Sequence, residues 1–248
     1  HTLLLADYNQ TQLATVADQL QGEGYDVETR VVDVSDRASV AALAEAAAAL
    51  GDVVRVIHAA GVSPTQAPPE RIVHVDLLGT AYVLDAFGSV IAEGGSGVVI
   101  ASMAGHMGPG FLAELEDKLA HAPIEELLAL PELADGAIQD SGPAYGIAKR
   151  ANILRVQAAA LPWGERGARI NSLSPGIIST PLARDEMTGP NAAGYARMIE
   201  VSAARRMGTP ADVAELAALL LDDRGSFITG ADFLIDGGVI AAMRGGAL

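Results

Sequence analysis

Short apolar runs that do not alternate in polarity, separated by longer alanine- and leucine-rich stretches, limit what this chain can fold into. Residues 2–6, 27–34, 53–60, 97–101, 168–173 and 233–235 read as strands. A strand without alternation is buried on both faces, which is the mark of a parallel sheet covered by helices. The covering helices are visible between the runs. Leu13, Val16, Ala17 and Leu20 recur at helical spacing, with Gly22 and Gly24 as stop signals. Ser35 is placed to cap the next helix and Gly51 to close it. Long helices are expected over about 70–91 and 144–160, and two further helical segments before the last strand. No repeat, linker or second core interrupts the pattern. The expected architecture is α/β, with a single doubly wound parallel sheet in one domain over residues 1–248.

Composition supports that size of core and removes several functions. Of the 248 residues 50% are hydrophobic but only 4% aromatic, so the core is mainly aliphatic. Lys plus Arg total 16 against 31 Asp plus Glu, a net charge of −15. Nucleic acid is not an expected partner, because its phosphates need clustered cations. An anionic membrane surface is disfavoured for the same reason. The absence of cysteine excludes disulfides, thiolate catalysis and cysteine-ligated zinc. No apolar run approaches the roughly 18 residues of a membrane span, and no signal-peptide pattern opens the chain. A cytoplasmic location is the expectation.

Asp7 ends a strand and precedes a helix. In a dinucleotide-binding βαβ unit an acidic residue there accepts the adenosine ribose hydroxyls, about 20 residues after a glycine-rich phosphate turn. Counting back 20 from Asp7 runs past His1. The segment Gly105-His-Met-Gly108-Pro-Gly110 follows a strand, but its spacing is wrong and Pro109 removes an amide that a phosphate would need. The orphaned Asp7 therefore leads us to expect a strand and a glycine-rich turn upstream of His1. On Asp7 alone, a strand-end turn aspartate is an equal reading.

The strongest local signal is Ser141-Gly-Pro-Ala-Tyr145-Gly-Ile-Ala-Lys149. Tyr145 and Lys149 are four apart and share one helix face. A free tyrosine, with a pKa of about 10, is a poor base at neutral pH. An ammonium one turn away favours the phenolate, so the pair can move a proton to or from an alcohol oxygen.

Other motifs fall around this pair in a fixed order. Asp33-Val34 and Ala59-Ala60-Gly61 come first, then Val98-Val-Ile-Ala-Ser102-Met-Ala-Gly105. After the Tyr–Lys pair come Arg169-Ile-Asn-Ser-Leu-Ser-Pro175-Gly176-Ile-Ile178-Ser-Thr180 and Thr229-Gly-Ala-Asp232-Phe-Leu-Ile-Asp236-Gly237-Gly238. In this order the chain resembles the short-chain dehydrogenase/reductase family, outside the region after Gly105. The resemblance implies a Rossmann-like fold, with Ser102 hydrogen-bonded to substrate, Tyr145 as general acid/base, and Lys149 supporting the tyrosine and holding the nicotinamide ribose. Asp33 and Val34 would contact adenine, and Ala59, Ala60 and Gly61 would pass close to the adenosine. Pro175, Gly176, Ile178 and Thr180 would fix the nicotinamide.

Two positions depart from the family pattern. Its Asn-Asn-Ala-Gly reads His58-Ala-Ala-Gly61 here, where His58 suits a packed strand end better than a catalytic base. The helix asparagine that usually supports a relay water is Asp76. An aspartate can accept from water, and it also brings a buried charge near Lys149. His74, His106 and His121 lack partners at ligand spacing, so no metal is expected. His106 reads equally as a pocket-lining or a solvated loop residue.

Ser102 and Tyr145 lie farther apart than the family usually places them. Residues 106–140 hold two expected amphipathic helices, one with apolar positions 111, 112, 115 and 119, the other starting at Pro123. They read as a lid over the substrate side, with an oligomer contact or surface decoration as the alternative. The expectation is an NAD-dependent oxidoreductase interconverting a secondary alcohol and a ketone. NAD is favoured because the Asp7 carboxylate would repel a 2′-phosphate. A dehydratase or epimerase on the same fold, or a non-catalytic dinucleotide-binding sensor, are the rivals. The apolar face of 70–91, with Leu154 and Ala158, resembles a helix pair that forms homodimers or homotetramers in the family.

Overall fold

Every expected strand is present, and each lies parallel to its neighbours. The computed structural model describes residues 1–108, 110–134, 136–189 and 191–248. Strand β1 (Thr2–Asp7) pairs with β2 (Asp26–Val31), with Asp7 opposite Val31. Strands β3 (Val53–His58), β4 (Ile91–Ile100), β5 (Arg169–Pro175) and β6 (Asp232–Ile235) form a second piece in the order β3-β4-β5-β6. The fold is Rossmann-like, but its sheet is in two pieces, since β1 and β3 do not pair with each other. Burial follows that division. Ile170, Asn171, Ser172, Leu173 and Ser174 on β5 are all buried, whereas Ile57 on β3 is 62% exposed. The both-faces-buried expectation thus holds inside the four-stranded piece and fails where the pieces part.

Helices α1 (Gln10–Gly22) and α2 (Arg37–Leu50) follow the first two strands. Asn9 caps α1 by accepting from the Thr11 and Gln12 amides at 3.1 Å. The cap of α2 is Asp36, which accepts from Ala38 N at 2.9 Å, and not Ser35. Ser35 sits one residue too early, and its hydroxyl donates to Asp33 instead, at 2.6 Å.

The helix expected over 70–91 is built in three parts. A short α3 (Pro69–Ile72) leads into a wide π-helical turn (Val73–Leu78) and then α4 (Gly79–Val90). Gly79 N donates to His74 O, five residues back, where an α-helix would reach four back. The strand that follows starts earlier than expected, at Ile91.

Helix α6 (Ser141–Glu165) runs beyond both expected ends. Its buried Trp163 donates to Leu84 O at 3.1 Å and anchors the cluster of Val40, Val56, Val83, Phe87 and Ile170 against the sheet. Three helices, not two, fill the region before β6: α7 (Pro181–Glu186), α8 (Ala192–Val201) and α9 (Pro210–Leu221). A short helix α10 (Val239–Arg244) ends the fold.

The insertion forms one α-helix, α5 (Ala113–His121), and a 3₁₀ turn (Ile124–Ala129) in place of the second expected helix. Pro123 precedes that turn. Of the four apolar positions marked on α5 and its approach, Leu115 and Leu119 pack inward, while Phe111 and Leu112 are exposed. Leu119 and Leu127 are fully buried beside Ile72, Leu77, Ala148, Ala151 and Leu154. Arg150 on α6 grips Glu116 through two hydrogen bonds of 2.8 and 3.0 Å. Arg155 donates to Ala122 O at 2.7 Å. Leu154, marked above as part of a subunit contact, is therefore covered by this chain's own insertion. Pro109 and Asp135 lie outside the described residues.

Candidate active site

Ser102 leaves β4 where Ala101 N still donates to Leu173 O on β5, at 2.7 Å. It caps the 3₁₀ turn Met103–His106, its Oγ accepting from Ala104 N at 3.1 Å. That leaves the hydroxyl hydrogen to donate outward. The turn rests on α6 at Gly105. A Cβ there would lie 2.9 Å from the Lys149 carbonyl carbon and 3.0 Å from Arg150 N, so only glycine lets the serine turn approach the helix that carries Tyr145 and Lys149.

Tyr145 is half-buried and Lys149 is buried, its side chain 6% exposed. The Lys149 ammonium lies 5.3 Å from the centre of the Tyr145 ring. On its other side it meets Asp76 Oδ2 at 3.2 Å, in an ion pair whose carboxylate is wholly buried. That contact is poorly directed for a hydrogen bond. Asp76 Oδ1 accepts from Val62 N at 2.8 Å. Burial pushes the Asp76 carboxyl upward, against the pull of Lys149 and the Val62 amide, and burial wins. The wide helical turn holds Asp76 on the side facing α6. The structure thus joins Asp76 to Lys149 directly.

His58 is a packed strand-end residue, as expected. Its Nε2 lies 3.1 Å from Thr80 Oγ1. Burial, helped by the Lys149 charge, lowers its pKa to about 3. A depressed histidine pKa stabilises the fold fully above its unfolded value near 6.5, and this stability is lost as pH falls from there toward about 3. The slope is about 1.4 kcal/mol per pH unit for one proton. The variant His58→Asn is expected to be less acid-sensitive by about one proton between pH 6 and 4. Urea midpoints measured at several pH values check this, and an unchanged slope would refute it.

Asp7 and Asp33 stand at the carboxyl ends of the paired strands β1 and β2, with Val32 N donating to Asp7 O at 3.0 Å. Asp7 is exposed, and its Oδ1 accepts from Asn9 N at 2.7 Å. The turn-aspartate reading therefore describes one of its oxygens. Asp33 is half-buried. Burial raises its carboxyl, but the Ser35 hydroxyl and amide and the Arg71 guanidinium at 3.4 Å outweigh that and hold it low. Val34 packs against Gly79, where a Cβ would come within 3.0 Å of it.

Ala59, Ala60 and Gly61 form an exposed turn after β3, immediately over the buried ion pair. A Cβ on Gly61 would sit 3.2 Å from Lys149 Nζ and 3.3 Å from Asp76 Oδ2. Beyond β5, Pro175 leads to Gly176, whose amide donates to Ile235 O at 2.8 Å. Ile178 bridges to Gly208. The Thr180 hydroxyl accepts from Ala183 N at 3.2 Å and so starts α7. The elements bring Ser102, Tyr145, Lys149 and Asp76 to one end of the four-stranded piece. Asp7 and Asp33 belong to the other piece.

Two groups escaped the sequence reading. His106 is half-buried. Its Nε2 donates to Asp232 at 2.7 Å. Tyr195 on α8 is half-buried, and burial, Glu186 and Tyr145 together raise its phenol. No spacing in the sequence links these residues, because each partner comes from a distant segment.

The chain is similar to several known proteins. A family model described as "short chain dehydrogenase" matches residues 1–113, and one described as "Enoyl-(Acyl carrier protein) reductase" matches 128–240. A short-chain dehydrogenase/reductase of Alternaria brassicicola is 37% identical over 240 residues, covering 96% of this chain and 87% of the relative. A 3-alpha-hydroxysteroid dehydrogenase/carbonyl reductase of Comamonas testosteroni is 31% identical over 191 residues, covering 75% and 72%. The fold matches a solved short-chain type dehydrogenase/reductase from Mycobacterium ulcerans with a TM-score of 0.74 at 24% identity, covering 97% of this chain and 81% of that one. The chain belongs to the short-chain dehydrogenase/reductase family. It is an oxidoreductase of the class that acts on alcohol and ketone substrates, and nicotinamide dinucleotides are the typical cofactors of that class. Among the described residues no helix is long and apolar enough to cross a membrane.

Proposed function

We propose that this chain interconverts a secondary alcohol and a ketone with NAD. The observation that carries the reading is the alignment of Tyr145, Lys149 and the buried Asp76 beside the Ser102 turn. The bare backbone of Gly61, where a side chain would touch Lys149, fits a cofactor lying against that ammonium. Lys149 would hold the nicotinamide ribose, residues 175–180 the nicotinamide, and Asp7 and Asp33 the adenosine end. When bound, the dinucleotide takes up or supplies the hydride. Tyr145 takes the alcohol proton during oxidation and returns it during reduction, with Lys149 favouring the phenolate between. Ser102 donates to the substrate oxygen and orients it toward Tyr145.

The insertion, held to α6 by Arg150 and Arg155, would cover the substrate side as a lid. A second copy would seat in the groove of about 630 Å³ bounded by α4, α6 and residues 120–125 of the insertion, lined by Ala81, Leu84, Ile124, Ala158 and Trp163.

Absorbance of reduced nicotinamide with a panel of secondary alcohols tests the reading. Turnover is expected with NAD in preference to NADP, since Asp7 and its neighbours Tyr8 and Asn9 offer no cation to a 2′-phosphate. Asp7→Ala is expected to narrow that preference. Equal efficiency with NADP in the unaltered protein would overturn the NAD assignment, and no turnover with either would overturn the redox one.

A further inference from the structure

The carboxylate of Asp232, at the start of β6, is 6% exposed. Ser172 Oγ donates to its Oδ1 at 2.6 Å. Ser174 Oγ reaches both oxygens, at 2.8 and 3.0 Å. Both serines belong to β5 and are fully buried, and Ser172 lies directly opposite Asp232 in the ladder. A buried carboxylate is tolerated only when donors replace its water. The strand pair supplies two of these donors. The third, His106 Nε2, arrives from a segment 126 positions away.

His106 is the last residue of the turn that Ser102 starts. Ser174 is the residue before Pro175, where the Pro175–Thr180 loop leaves the sheet. One buried carboxylate therefore ties the serine turn to the root of that loop. The turn has two further supports. Met103 packs with Val239 and Ile240 of α10, and Gly105 lies flat on α6. Packing and glycine contact set how near the turn comes. They are non-directional and leave its rotation about the β4 axis less defined. A short, directed hydrogen bond at the far end of the turn fixes that rotation, and with it the direction of the Ser102 hydroxyl.

We propose that His106 and Asp232 are positioning residues for the reaction: their hydrogen bond orients the Ser102 turn relative to the Pro175–Thr180 loop. Neither residue needs to touch substrate. The proposal rests on the redox reading above, so the unaltered protein must first turn over an alcohol. If it does not, that reading fails and His106 is not at issue.

Given turnover, three variants decide the matter. His106→Phe keeps the ring volume and loses the donor. His106→Gln keeps an amide N–H at similar reach. His106→Asn is polar but too short to bridge. Loss of orientation alone costs on the order of 10²-fold in kcat for His106→Phe and His106→Asn. Cofactor affinity, read from the fluorescence of the reduced dinucleotide, is expected to stay within about twofold. His106→Gln is expected to recover most of kcat, and Asp232→Asn to resemble His106→Phe. If His106→Phe fails to fold, the contrast between Asn and Gln carries the same test. Unchanged kcat in the Phe or Asn variant would overturn the proposal. A parallel fall in kcat, cofactor affinity and thermal midpoint that Gln does not relieve would also overturn it, because that is the behaviour of a purely structural contact.

Discussion

Replacing Tyr145 by Phe is expected to lower kcat by about 10³-fold or more while cofactor affinity survives. The change removes one ionisable oxygen and almost no volume, so the ring still packs beside the cluster of Leu119, Ile147 and Ala148. General acid–base transfer contributes typically about 10²–10⁴-fold, and neither Asp76 nor His58 is free to take over the proton. Asp76 is occupied by Lys149 and the Val62 amide. His58 is neutral, buried and bonded to Thr80. Steady-state rates with a reactive alcohol, set beside a direct binding titration, check the split. Lys149→Ala is expected to damage both quantities. Near-normal turnover in Tyr145→Phe would remove the tyrosine from the mechanism.

The second large effect concerns stability. Asp76→Ala would leave the buried Lys149 ammonium without its counter-charge and Val62 N without its acceptor, with Ile100 O at 3.5 Å as the remaining partner of the ammonium. Removing one member of a buried ion pair costs about 3–5 kcal/mol. Asp76→Asn keeps the side-chain shape and an oxygen for Val62, so a smaller loss is expected. Denaturant unfolding of the two variants beside the unaltered chain measures both. Stabilities of both variants equal to that of the unaltered chain would show that the charge and the amide bond contribute little.

Parts of this fold were open to reading from the sequence because burial writes itself into residue type. Apolar runs located six strands, and the Tyr145–Lys149 spacing located the helix face that meets Asp76. Where one hydrogen bond decides the structure, residue type is silent. Ser35 and Asp36 are both good caps, and only the position of Arg37 as the first helical residue selects Asp36. The second segment of the insertion has a helical apolar pattern, yet it closes as a tighter turn of six residues. Thr180, expected at the nicotinamide, also begins a helix with its hydroxyl, a role that residue type does not announce. Asp232 was quoted only as part of a closing motif, because its partners lie on β5 and beyond β4. The division of the sheet between β1 and β3 is a matter of pairing, which apolar content does not encode.

The wide turn at Val73–Leu78 does more than aim one carboxylate. Each residue of an α-helix advances the chain by about 100°. A surplus residue therefore rotates everything after it by that amount relative to everything before it. Ahead of the turn, Ile72 faces the leucines of the insertion, and Leu77 inside it does the same. Past it, Val83, Leu84 and Phe87 face the strands. The turn acts as a phase shifter between two hydrophobic layers, with Asp76 at the point of the shift. Helix length thereby sets whether Asp76 meets Lys149. Deleting one residue between Val73 and Val75 is expected to restore a regular helix and swing Asp76 away from Lys149, even with Ser102, Tyr145, Lys149 and Asp76 all still present in the sequence.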